Sequence, residues 1–185
     1  GMAEGIDAAA TWGALEAKTG AVGILGCGLD IVYPRCNRDL FRKMEQQGCL
    51  ISEYPPGTKP NRWQFPERNR IISGISCGVL VVEAPKKSGS LITAQQALEQ
   101  GRDVFVVPGN IDSGVCEGSN QLLREGGMVA TSGWDIVGEY AAMYPGKLRT
   151  SDQPLPVSIM PEVAEQSQLK VAQPKQCVEK TEKTT

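Results

Sequence analysis

The sequence predicts an α/β fold in which a mostly parallel, doubly wound sheet carries helices on both faces. Four runs of strand length, AVGILG (21–26), GCLISEY (48–54), GVLVVEA (78–84) and DVFVVPG (103–109), are almost continuously apolar. Continuous apolarity, in place of in–out alternation, marks strands covered on both faces, as parallel strands are. Helix-like stretches separate the runs, and strand-then-helix repetition is the chain order of a doubly wound sheet.

The elements follow in order. Residues 7–18 read as a helix with no strand before it, which predicts a sheet lacking its first strand and a piece cut from a larger domain. After AVGILG comes a helix over 37–47, and after GCLISEY a Pro-rich loop and a helix over 66–75. Pro66 suits the first helical position, and Ile71, Ile72 and Ile75 form its apolar face. Helices over 93–100 and 119–125 follow the third and fourth runs. A last helix starts at Ser132, where SGWD offers Ser132 as cap and Asp135 to return the bond. Beyond Tyr144 the chain turns to Pro, Ser, Thr, Gln and Lys. Such a segment buries too little surface to offset its ordering entropy, so 1–144 is expected to be the domain and 145–185 a disordered tail.

Composition narrows the chemistry. The 185 residues are 41% hydrophobic and 22% charged, with a net charge of −2. No window offers the roughly 18 apolar residues of a membrane span, and no signal segment opens the chain, so a cytoplasmic protein is expected. Six cysteines (Cys27, Cys36, Cys49, Cys77, Cys116, Cys177) form no CxxC pair, which speaks against zinc or a disulfide framework. There is no histidine, which removes Ser-His and Cys-His catalysis.

Three loops that follow strands are rich in small residues: GCGLD, EAPKKSGSLIT and PGNIDSGVCEGSN. In an open parallel sheet such loops meet outside the strands' carboxyl ends, where ligands bind. Glycine lets amides approach a phosphate, and a helix N-terminus adds favourable partial charge. Lys86, Lys87, Ser88, Gly89 and Ser90 fit this pattern; the alternative is a set of tight strand-to-helix turns. Neither GxGxxG nor GxxxxGK[ST] is present, so no dinucleotide or P-loop nucleotide cofactor is expected.

RWQFPERNRIIS (62–73) concentrates positive charge in an acidic chain. Arg68 and Arg70 lie near a helix N-terminus, which costs about 0.3–1 kcal/mol each against the macrodipole. Together with Lys59 and Arg62, and with Trp63 and Phe65 interleaved, they have the composition of a single-strand platform. The competing reading is that the rings staple a loop while the arginines are solvated or pair with Glu67 and Glu53. Asp7, Asp30, Glu53, Glu83 and Asp112 fall at element ends, but no spacing among them specifies a catalytic pair.

The motifs GMAEGIDAAATWGAL, ILGCGLDIVYP, ISEYPPGTKP, FPERNRIISGIS, VVEAPKKSGSLITAQQALEQGRDVFVVPG and GSNQLLREG, in this order from Gly1 to about Tyr140, resemble the DprA/Smf family of bacterial DNA-processing proteins. The resemblance implies an extended Rossmann-like domain without catalytic activity. It implies sequence-independent single-stranded DNA binding and protection, dimerisation, and loading of a RecA-type recombinase in natural transformation. Carried onto matching positions, it implies Phe65 as a stacking ring with Arg62, Arg68, Asn69 and Arg70 beside it. Lys86, Lys87 and Ser88-Gly89-Ser90 are implied at phosphate, with the Gly26-Cys27-Gly28 turn. Three family features are missing: an upstream Gly-Ser-Arg turn, a His-Arg-Gly where this chain has Thr11-Trp12-Gly13, and a terminal winged helix. The alternative function is a nucleotide-processing phosphoribohydrolase of the lysine-decarboxylase-like type, whose PGGxGTxxE motif is replaced here by EAPKKSGSLIT.

Overall fold

Each of the four apolar runs forms a short strand: β1 (Val22–Leu25), β2 (Cys49–Ser52), β3 (Gly78–Val81) and β4 (Asp103–Val106). A fifth, β5 (Met128–Val129), has two residues, too few for a periodicity to register. This computed structural model describes residues 1–145. Gly1–Tyr140 form one compact unit, and the expected tail lies almost wholly outside the described residues.

All strand pairs are parallel, as expected, but they form two sheets where one was expected. β1 pairs with β2, Val22 opposite Cys49. β3 pairs with β4, Gly78 opposite Asp103, and β4 with β5, Phe105 opposite Met128. The edge of β1 away from β2 is occupied by a side chain. Cys49 N–H donates to Ala21 O, so alternate residues turn their backbone groups to the other edge. There the Arg68 Nη1 donates to Ile24 O, and a side chain stands where another strand would bond.

The helices are α1 (Ile6–Glu16), α2 (Arg38–Gln47, after a 3₁₀ turn over Arg35–Asn37), α3 (Gln64–Gly74), α4 (Gly89–Glu99), α5 (Glu117–Arg124) and α6 (Gly133–Tyr140). Their positions follow the sequence reading, with three corrections. Helix α4 begins at Gly89, a full turn before the expected residue 93. Pro66 is the third residue of α3, not the first; it is still in the first turn, where amides have no intrahelical partner. The buried face of α3 is Gln64, Arg68, Asn69 and Ser73, whereas Ile75 is 61% exposed. These polar groups are tolerated because they are bonded: Gln64 Oε1 accepts from Asn61 N–H, and Ser73 Oγ donates to Asn69 O.

Two apolar clusters hold the unit together. Leu25, Leu40, Phe41 and Met44 centre one, between β1, α1 and α2. Val81, Ala94, Ala97, Val104 and Val106 centre the other, between α4 and the three-stranded sheet. Burying each of the larger side chains stabilises by about 1.5–3 kcal/mol. The small Ala94 and Ala97 allow α4 to lie close to the sheet.

Helices α3 and α4 run side by side in the same direction. Gln96 Nε2 donates to Pro66 O, Gln100 Nε2 to Arg70 O and Arg102 Nη2 to Gly74 O, a nearly constant offset along both helices. Their N-termini therefore share one end, beyond the carboxyl ends of β2 and β3.

Candidate nucleic-acid interface

A cavity of about 480 Å³ opens between α3, α4 and β3. Phe65, Arg68 and Asn69 line it from α3, and Gly89, Ser90 and Thr93 from the first turns of α4. Five of the residues implied for DNA contact are thus brought to one place by the shared direction of the two helices. The Ser88 hydroxyl accepts from Ser90 N–H at 3.2 Å and caps α4, which fixes the turn that carries Gly89 and Ser90. Glu4, Asp7 and Glu83 also line the cavity, so it carries both signs of charge.

Arg68 is only 7% exposed. Its Nε donates to Asn69 Oδ1 at 3.1 Å, its Nη1 to Ile24 O, and its guanidinium lies 5.8 Å from the centre of the Phe65 ring. Burial lowers its pKa, and Asp7 chiefly opposes the shift; an arginine keeps its charge under such conditions. The cation near the N-terminus of α3 is therefore held by a buried carbonyl, an amide and a ring. Phe65 is half-buried, with Tyr33 stacked on it at 5.5 Å and 26°.

The other residues divide. Arg70 pairs with Glu53 at 2.5 Å and Lys86 with Glu117 at 2.5 Å. Both pairs are solvent-exposed, where such contacts are worth about 0–1 kcal/mol, and both cations can exchange a carboxylate for a phosphate. Arg62 and Lys87 are exposed, flank the starts of α3 and α4, and have no ion pair among the described residues. Glu67, the other partner offered to the arginines, instead accepts from Tyr54 Oη at 2.8 Å.

The Gly26-Cys27-Gly28 turn is engaged within the fold. Gly26 backs the Phe65 ring, since a Cβ there would lie 2.8 Å from its Cδ1. Cys27 is buried and donates to Ile31 O at 3.6 Å. Burial pushes its thiol pKa up, with Arg68 pulling the other way, so it is no nucleophile near neutral pH. The Gly28 amide is committed to Thr58 O at 2.9 Å. The third small-residue loop is also occupied: at the start of α5, the Gly118 and Ser119 amides both donate to Ala84 O. Only one of the three loops, that before α4, reaches the cavity.

Sequence reasoning missed Tyr33 altogether. The signal was the aromatic next to the last residue of ILGCGLDIVYP, five residues after the small-residue turn that follows β1. Among the described residues, no three His, Cys, Asp or Glu side chains cluster as metal ligands, and no helix is long and apolar enough to cross a membrane.

Residues 1–141 match the family model for DNA recombination-mediator protein A. The chain is 44% identical over 140 residues to the DNA processing protein DprA of Streptococcus pneumoniae, covering 76% of this chain and 50% of that protein. It is 47% identical over 139 residues to DprA of Bacillus subtilis (75% and 47% covered) and 46% over 138 residues to Protein Smf of Escherichia coli (74% and 37%). The chain thus spans half or less of the length of these relatives. The X-ray structure of Streptococcus pneumoniae DprA superposes with a TM-score of 0.71 at 44% identity, covering 75% of this chain and 49% of that one. A Helicobacter pylori DNA processing protein A, described for its single-stranded DNA binding mode, superposes with a TM-score of 0.62 at 27% identity (66% and 57% covered).

Proposed function

The chain belongs to the DNA recombination-mediator protein A family, and from that premise we propose that it binds single-stranded DNA, without regard to sequence, across the cavity between α3 and α4. The observation that carries this is the meeting of Phe65, Arg68 and Asn69 with Gly89 and Ser90 at the common N-terminal end of two parallel helices. Two helix N-termini favour an anion there. Arg62 and Lys87 stand beside the two helix starts and supply mobile charge for a sugar-phosphate chain. None of these groups reads a base edge, so the affinity is indifferent to sequence.

In the intact protein the strand is protected and passed to a RecA-type recombinase during DNA uptake and recombination, by a cytoplasmic homodimer. The role is binding, not catalysis. In support, the chain has no histidine, Cys27 is a buried thiol, and the loop before α4 lacks the phosphoribohydrolase motif. Release of free base from nucleoside monophosphates would instead favour that enzyme class.

The test is fluorescence-polarisation titration of labelled oligo-dT and of a duplex of equal length. Tighter binding of the single strand is expected, with a loss of at least about tenfold in the Arg62→Glu/Lys87→Glu double variant, which gives up two phosphate contacts and adds two repulsions. Equal binding by the variant and the parent chain contradicts the proposal.

A further inference from the structure

Phe65 meets the cavity with its ring already engaged. Tyr33 stacks on it, the Arg68 guanidinium lies over it, and Gly26 is so near that even a Cβ would collide with the ring. Tyr33, the outer ring of the stack, is 42% exposed. It stands on the connection from β1 to α2, and the next turn of chain carries Arg35 and Arg38. Both are exposed and, among the described residues, neither is ion-paired.

Trp63 is more exposed, at 58%, and follows Arg62 in the chain, but its ring already has an aromatic neighbour that is tied to a carboxylate. Tyr54 packs against it edge-on at 6.2 Å, and the Tyr54 hydroxyl donates to the Glu67 carboxylate. The Glu67 carboxylate opposes a phosphate there, whereas Arg35 and Arg38 attract one.

The geometry points to Tyr33 as a further ring, beyond Phe65, on which an unpaired base stacks, with Arg35 and Arg38 taking the neighbouring phosphates. This rests on the reading of the chain as a single-strand binder and extends the interface from α3 and α4 to the connection after β1. Phe65 then sets the tilt of Tyr33 and is held in turn by Arg68 and Gly26. A phenol ring stacks with any base, so the contact adds affinity without sequence preference.

The test uses the full chain, labelled oligo-dT and an abasic oligonucleotide of the same length and charge. Tyr33→Ala is expected to weaken oligo-dT binding about 5- to 150-fold while leaving the abasic strand unaffected. Tyr33→Phe, which keeps the ring, restores the lost affinity. Arg35→Glu weakens both ligands. On the unaltered protein, irradiation with an iodouracil-substituted strand is expected to attach the base to the peptide carrying Tyr33. Attachment at Phe65 or Trp63 with none at Tyr33, or unchanged oligo-dT binding by Tyr33→Ala, overturns the inference while leaving single-strand binding intact. Failure of both oligonucleotides to bind the unaltered chain removes the single-strand reading and this inference together.

Discussion

Gly26 and Gly28 sit two residues apart in one turn and resist a side chain for different reasons. At Gly26 the obstacle is the Phe65 ring, which can lean away; at Gly28 it is backbone, with Pro55 O 2.7 Å and Gly57 N 3.0 Å from a Cβ. Gly28→Ala is therefore expected to cost about 1–3 kcal/mol of stability, and Gly26→Ala less, as read by urea denaturation. Arg68→Ala removes the donor from Ile24 O and is expected to destabilise by about 1–3 kcal/mol, besides loosening Phe65. The sequence reading identified Arg68 as a cation near a helix N-terminus but not as a buried one. Its partner carbonyl is 44 residues away, and only the fold brings the two together.

The start of α6 was legible because capping is local, whereas that of α4, capped by Ser88, lies four residues before the expected 93. In α6, Asp135 N–H donates to Ser132 Oγ and Ser132 N–H returns a bond to Asp135 Oδ2, as SGWD implied. Hydrogen bonds from Thr131 and Ser132 hold the Asp135 carboxyl down to about 2. A depressed folded-state value means that its contribution is complete above the ordinary carboxylate range. It is lost as the pH falls from about 4 towards 2. Amide exchange in α6 is expected to accelerate across that window and not in Asp135→Asn. Ser88→Ala uncaps α4 and is expected to cost about 0.5–2 kcal/mol in thermal or urea unfolding, while loosening Gly89 and Ser90 at the cavity. The buried face of α3 was not legible. An isoleucine pattern suggested an apolar stripe, but Gln64, Arg68, Asn69 and Ser73 are inside because each finds a polar partner that periodicity does not reveal.

At the scale of the molecule, a chain of net charge −2 has no long-range field to draw DNA in, so the affinity must come from the local cluster. Contact with about four phosphates gives a slope of log affinity against log salt near −3 for a single strand. A slope near zero would mean that the cations stay with their carboxylates. The parallel strands and the helices between them were legible because burial on both faces leaves continuous apolar runs. The incomplete sheet was legible in a first helix with no strand before it, whereas the occupation of the β1 edge by Arg68 was not. Tyr33 was missed because a ring 32 residues from Phe65 in sequence meets it only after folding. The central claim is tested most directly by mapping backbone amide shifts on addition of oligo-dT. The account predicts changes centred on Tyr33 to Arg35, Phe65 to Asn69 and Gly89 to Ser90. Changes confined instead to the surface around Leu98 and Met128, or none at saturating strand, would contradict it.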